Sequence, residues 1–325
     1  MDKSAADAYV YAKASGKLSK SFYSKNAEKL FAVKSLSELY GLLFEGDVPA
    51  LPETLLARTI EEKAENTFVR DYISFLDCYD KPSPLAVNLL EFYDYLNLKE
   101  IAGALCMRET EKPELMDLGK YSLLSYENWP EINKITQGSK LSWYNTVPEV
   151  SEQQLLDTKL DFQYLKDIWQ SALRSEMEVR TETKNLIALE IRFSNILWVL
   201  RLKVYYKMNA EEIISRLFFA ELSKGKDDIL AGEAVKLLNK DTSSFDDWKN
   251  WKYKACLNPN VEGQDWELDP RWVEKALMEK LENKYISAFH RNSLSSLALV
   301  CYFKIKQNEL GNIRSVTEGL RLGGE

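Results

Sequence analysis

Lys184 to Lys207 reads KNLIALEIRFSNILWVLRLKVYYK. It lies inside a longer run, Glu149 to Lys224, that contains neither Pro nor Gly. Nothing there removes a backbone donor or loosens the chain, so helix can propagate over many turns. The apolar positions from Leu186 to Tyr206 are dense enough for burial on more than one side. Upstream, Leu165, Ile168, Trp169, Ala172, Leu173 and Met177 recur at three- and four-residue spacing, which is one face of a second helix.

Helix starts are written elsewhere as well. Ser35-x-x-Glu38, Ser151-x-x-Gln154 and Asn209-x-x-Glu212 have capping-box or related form. Ser83-Pro84 and Asp269-Pro270 set a cap residue before a Pro at the first helical position. No stretch alternates with period two. The reading is all helix, with loops near 46–52, 80–84, 138–150, 223–227 and 257–270.

Composition agrees. The chain has 325 residues, enough for two or three domains, with only 13 Gly and 9 Pro. So few breakers argue against a sandwich of tight turns. The net charge of −7 does not suit a nucleic-acid binder. The single His, His290, excludes an HExxH zinc site and any site with two His ligands within one chain. Cys78, Cys106, Cys256 and Cys301 form no C-x-x-C pair and read as reduced, mostly buried thiols of a cytosolic protein. The N-terminus shows no apolar h-region, and no apolar run reaches membrane-spanning length.

Three segments resemble one another: Leu90-Glu91-Phe92-Tyr93-Asp94-Tyr95-Leu96-Asn97, Leu189-Glu190-Ile191-Arg192-Phe193-Ser194-Asn195-Ile196, and Phe303 to Arg314 with Glu309 and Asn312. The asparagines fall 98 and 117 positions apart. They divide the chain into units near 1–112, 113–207 and 208–325. Asn-Ile is a common dipeptide, so chance is the competing explanation. Asn is a mediocre residue inside a helix, because its side chain competes for backbone bonds. Three such placements predict a buried polar contact between helices within each unit.

These residues carry a family resemblance. Tyr9-Val10-Tyr11-Ala12 with Gly16-Lys17-Leu18 resembles the opening helix of the C-type subunit of the V-type (A-type) ATPases, which is homologous to the d-type subunit of eukaryotic V-ATPases. Leu160-Asp161-Phe162-Gln163-Tyr164, Asn195-Ile196 and Arg201-Leu202-Lys203 resemble its middle repeat. Tyr302-x-Lys304-x-Lys306-x-x-Glu309-x-x-Asn312-Ile313-Arg314 with Gly319 resembles its C-terminal signature, the most specific of the three. Gln307 and Ser295-Ser296 depart from the pattern. The resemblance implies an all-α fold of three similar helical-bundle domains in a pseudo-threefold funnel. It implies a non-catalytic rotor adaptor in the central stalk, at the cytoplasmic face of the membrane. Its partners would be the D- and F-type shaft subunits and the membrane rotor ring, in a machine that moves protons or sodium ions. No cofactor, metal or catalytic residue is implied. The alternative is an all-helical scaffold or helical enzyme unrelated to rotary ATPases.

Candidate partner contacts follow from charge and aromatic content. Lys13, Lys17, Lys20, Lys25 and Lys29 fit one basic helical face. Lys304, Lys306 and Arg314 make the C-terminal end basic in an acidic protein. Trp248 and Trp251, with Lys249 and Tyr253, read as an exposed aromatic patch for a protein contact. An ordinary solvated face competes with each reading. Glu262, Asp265, Glu267 and Asp269 form an acidic loop around Trp266, without the residue order of an EF-hand. Gly225-Lys226 lacks the upstream Gly of a P-loop.

Overall fold

The computed structural model describes residues 1–221, 225–261 and 263–323. Its regular structure is helical, with no strand among the described residues. The long helices are α1 (Lys3–Leu18), α2 (Leu36–Leu43), α3 (Glu53–Leu76), α4 (Pro84–Leu90), α5 (Phe92–Cys106), α6 (Val150–Leu173), α7 (Arg180–Val204), α8 (Pro270–Arg291) and α9 (Ser296–Arg321).

Several starts are where the sequence placed them. Ser35 Oγ accepts from the Glu38 N–H at 3.2 Å to open α2. Pro84 and Pro270 each take a first helical position, where the missing N–H costs nothing. Asn209 and Glu212 form a reciprocal capping box at 3.0 Å in both directions, opening the short turn Ala210–Ile214. The start of α6 differs. Glu149 and Glu152 make the box, two residues ahead of the expected Ser151 and Gln154. A carboxylate at the N-cap also complements the positive end of the helix dipole.

The chain forms two compact units. Unit one holds Met1–Val179 and the chain from Ile286 onward; unit two holds Arg180–Tyr285. In unit one α9 is the central helix. Every residue from Leu297 to Ile305 is buried, so its first turns are covered all round. It packs on α1, α2, α3 and α4. Phe303 packs tilted against Phe68 at 5.1 Å and edge to face against Tyr72 at 4.9 Å, while Tyr302 meets Phe75 at 5.3 Å. Truncating one such buried ring costs about 3–5 kcal/mol. A second cluster joins Tyr95, Leu98 and Ile101 of α5 to Leu160 of α6 and to Ile132, Ile135, Leu141 and Tyr144 between them. In unit two α7 buries Leu186, Ile187, Ile191, Phe193, Ile196, Val199, Leu200 and Leu202.

More of the chain is irregular than the sequence reading expected. Residues 107–131 contain only two single 3₁₀ turns, and the described residues of 215–269 only short helical turns. These segments lack a long apolar stripe and cannot hold themselves as helices. They are ordered by polar side chains that project from α5 and α7.

Candidate functional site

The repeat-motif asparagines do this work. On α5, Asn97 is 4% exposed. Its Nδ2 donates to the Met116 carbonyl at 2.8 Å and to the Tyr126 hydroxyl at 2.7 Å. Its Oδ1 accepts from the Met116 N–H at 2.9 Å. Asp94, one turn earlier, accepts from the Leu123 N–H at 2.7 Å, the Ser122 hydroxyl at 2.8 Å and the Tyr126 hydroxyl. Burial pushes the Asp94 carboxyl above its ordinary range despite these donors. Glu91 pairs with Lys140, which also meets Asp167 at 2.8 Å; Tyr95 donates to Asp167 at 2.9 Å.

On α7, Asn195 repeats the geometry in unit two. Its Nδ2 donates to the Phe218 carbonyl at 2.8 Å and the Leu230 carbonyl at 3.1 Å, and its Oδ1 accepts from the Phe218 N–H at 3.0 Å. Asp228 accepts from the N–H groups of Glu221, Leu230 and Ala231 at 2.8–3.0 Å. Arg192 donates to the Ile229 carbonyl at 3.0 Å. Lys203 donates to the carbonyls of Leu237, Leu238 and Lys240 at 3.2, 2.8 and 2.5 Å. Burial pulls the Lys203 ammonium below its ordinary pKa. Arg201, two positions earlier, pairs with Glu274 of α8 at 2.6 Å. Glu190 accepts from the Tyr285 hydroxyl.

The Asn97 and Asn195 contacts run from helix to connecting segment, not between helices as the sequence suggested. The contacts between helices are made instead by Tyr95 with Asp167, Arg201 with Glu274 and Tyr285 with Glu190. A side-chain amide offers one donor and one acceptor side by side, matching a single backbone N–H and C=O. Irregular chain supplies such unpaired groups; a neighbouring helix has already used its own.

The third motif is built differently. Asn312 on α9 is half-buried, and its side chain makes no hydrogen bond among the described residues. Glu309 takes the clamping part. It is 3% exposed, accepts from the Phe22 N–H at 2.7 Å, and pairs with Lys306.

Several partner-contact candidates are revised by their surroundings. Trp248 and Trp251 are buried, edge to face at 5.4 Å, and Trp248 Nε1 donates to the Asp241 carbonyl at 2.7 Å. Phe193 of α7 meets Tyr253 beside them, so this cluster is core rather than surface. Lys304 is buried too; its Nζ donates to Gln307 at 3.2 Å. Lys306 is largely covered and pairs with Glu309. Both lie where α9 is enclosed by neighbouring helices, so they form no basic outer face. Arg314 is exposed and ties α9 to Glu65 of α3 at 2.7 Å. The N-terminal lysines do not share one helix, because α1 ends at Leu18. Lys13 and Lys20 are exposed; Lys17 pairs with Asp71 at 2.8 Å.

In the acidic loop, Glu262 lies outside the described residues. Asn258 holds the rest, accepting from the Asp269 N–H at 3.0 Å and donating to the Glu267 carbonyl at 2.9 Å. No group of three potential metal ligands occurs among the described residues. The aromatic surface missed by sequence lies elsewhere in unit two. Trp198 of α7 and Trp272 of α8 are 49% and 51% exposed, and Tyr205 and Tyr206 are exposed as well. The signal was present in α7: Trp198 and Arg201 lie on its less buried side, with Tyr205 just past its end.

The fold is an all-helical scaffold whose connecting segments are gripped through their backbone by Asn97, Asn195 and Glu309. The family model of the ATP synthase (C/AC39) subunit matches residues 7–324, and the chain belongs to that family, as a subunit of V-type ATPases and ATP synthases. An uncharacterized protein of Treponema pallidum (strain Nichols) is 30% identical over 327 residues, which is 99% of this chain and 95% of that protein. No helix among the described residues is long and apolar enough to cross a membrane.

Proposed function

We propose that the chain is the non-catalytic rotor adaptor of its ATPase, joining D- and F-type shaft subunits to the membrane rotor ring and transmitting torque for proton or sodium transport. Family membership over nearly the whole chain carries this reading. The clamps support it: Asn97, Asn195 and Glu309 stiffen connections that a torque-bearing part must not let slip. The threefold division at 1–112, 113–207 and 208–325 is part of the same proposal, supported by the matching clamps of α5 and α7. So is its place at the cytoplasmic face of the membrane.

The exposed Trp198 and Trp272 favour a protein contact on unit two, since large exposed aromatics recur at interfaces. The purified chain should co-elute with the D- and F-type subunits at moderate salt. Trp198→Ala with Trp272→Ala should weaken that co-elution while leaving the unfolding transition in place. The isolated chain should show no saturable ATP binding at micromolar concentration. A chain that migrates alone beside the shaft subunits and the ring, or that binds ATP, ends this reading.

A further inference from the structure

Unit one holds a cavity of about 570 Å³, bounded by α1 and the chain just after it, the end of α2, α3 and α9. That volume lies within the range of small-ligand pockets. Phe22, Leu43, Phe68 and Ile313 contribute apolar walls. Four lysines, Lys17, Lys20, Lys63 and Lys306, converge on it from three parts of the chain, against three carboxylates, Glu45, Asp71 and Glu309. Two of the lysines are satisfied internally: Lys17 pairs with Asp71 and Lys306 with Glu309. Glu45 is exposed at the rim.

Lys63 is held differently. Its ammonium lies 4.6 Å from the Tyr40 ring centre and 4.4 Å from that of Phe44, and it donates to the Tyr40 hydroxyl at 2.7 Å. It is half-buried and makes no ion pair among the described residues. Lys20 is exposed at the same cavity and likewise makes no ion pair among the described residues. Removing a cation partly from water without a counter-charge costs free energy, which a bound anion would return. The aromatic pair fixes where that ammonium sits, so little ordering is left for a ligand to impose.

We infer that this cavity binds a small amphipathic anion, one carboxylate-type head on an apolar body, with Lys63 and Lys20 at the head and Phe22, Leu43, Phe68 and Ile313 against the body. One excess positive charge in the lining suits a single negative charge. The three carboxylates disfavour a polyanion, and a neutral apolar molecule would leave Lys63 without a counter-charge.

The probe is 8-anilinonaphthalene-1-sulfonate, an aromatic body with one anionic group, titrated into the full chain and displaced with decanoate below its micellar concentration. Saturable one-to-one binding is expected, with displacement by decanoate and not by decanol or acetate. Lys63→Gln and Lys20→Gln should each weaken decanoate binding about tenfold, as loss of one charge-assisted contact would. Lys63→Arg should restore it, and Lys13→Gln, outside the cavity, should bind as wild type. Circular dichroism and thermal melting confirm that each variant is folded; Lys20 is exposed, so its variant tests the site even if Lys63→Gln is unstable. Equal displacement by decanol and decanoate, or wild-type affinity in a folded Lys20→Gln variant, would overturn the assignment.

Discussion

The α5 and α7 clamps are near copies, whereas the third motif on α9 shares their sequence pattern and not their geometry. Asn97 and Asn195 each take one backbone N–H and its own residue's carbonyl, in Met116 and Phe218. Both clamps include a carboxylate acceptor, Asp94 and Asp228, but the helpers that project from the two helices differ in charge. Asp94 reinforces the first by accepting from donors, while Arg192 and Lys203 reinforce the second by donating to carbonyls. The asparagine is neutral to that choice, because the amide serves both needs at once. On α9 the captured group is a lone N–H, that of Phe22, and an acceptor suffices. A carboxylate does the task there, at the cost of needing Lys306 beside it.

The charged clamp of α9 should be the most sensitive of the three to substitution. Lys306→Glu would set two carboxylates side by side in a covered site and should cost about 3–5 kcal/mol. Urea unfolding of the full chain measures it, with exposed Lys13→Glu staying within about 0.5 kcal/mol of wild type. A mild effect at Lys306 would return that lysine to the surface.

Asn195→Leu keeps the side-chain size but orphans the Phe218 N–H and two carbonyls, so about 3 kcal/mol should be lost. Asn97→Leu should match it to within about 1 kcal/mol, and Asn312→Leu should fall well below both. Equal losses at all three asparagines would erase the distinction drawn between the motifs.

Gly232 sharpens the view of unit two. A Cβ there would stand 2.3 Å from the Lys226 carbonyl oxygen, a backbone atom that cannot swing aside. Gly232→Ala should therefore cost about 2 kcal/mol, as overpacking does. At Gly103 of α5 a Cβ meets only the flexible end of Gln153 at 3.2 Å. Gly103→Ala should be close to neutral in the same unfolding assay.

The smallest effect is a pH dependence. The Asp94 carboxyl is held above its ordinary range by burial, so the folded chain keeps that proton to higher pH than the unfolded chain. Stability from this group is present below the unfolded pKa of about 4 and declines as pH rises through the folded value. The stability difference between wild type and Asp94→Asn should therefore shrink between pH 4 and pH 7. A difference that grows over that range would mean the carboxyl is ionised when folded.

Much of this protein was decided locally and is visible in the sequence. The Gly- and Pro-free run, the Pro84 and Pro270 starts and the Asn209–Glu212 box set helices through bonds that close within a few residues. Even the asparagines were conspicuous, because a helix interior disfavours them. What they hold was not visible, since Asn97 and Met116 meet only after the segment after α5 folds back. The fates of Lys304, Trp248 and Trp198 were also decided by tertiary structure. Periodicity says which residues share a face of a helix, and only the neighbouring elements say whether that face is covered. Glu309 and Phe22 are separated by 287 positions, and the cavity's Lys17 and Lys306 come from opposite ends of the chain. Such pairings cost chain entropy that no local pattern repays, so they form only once the core around α9 has closed.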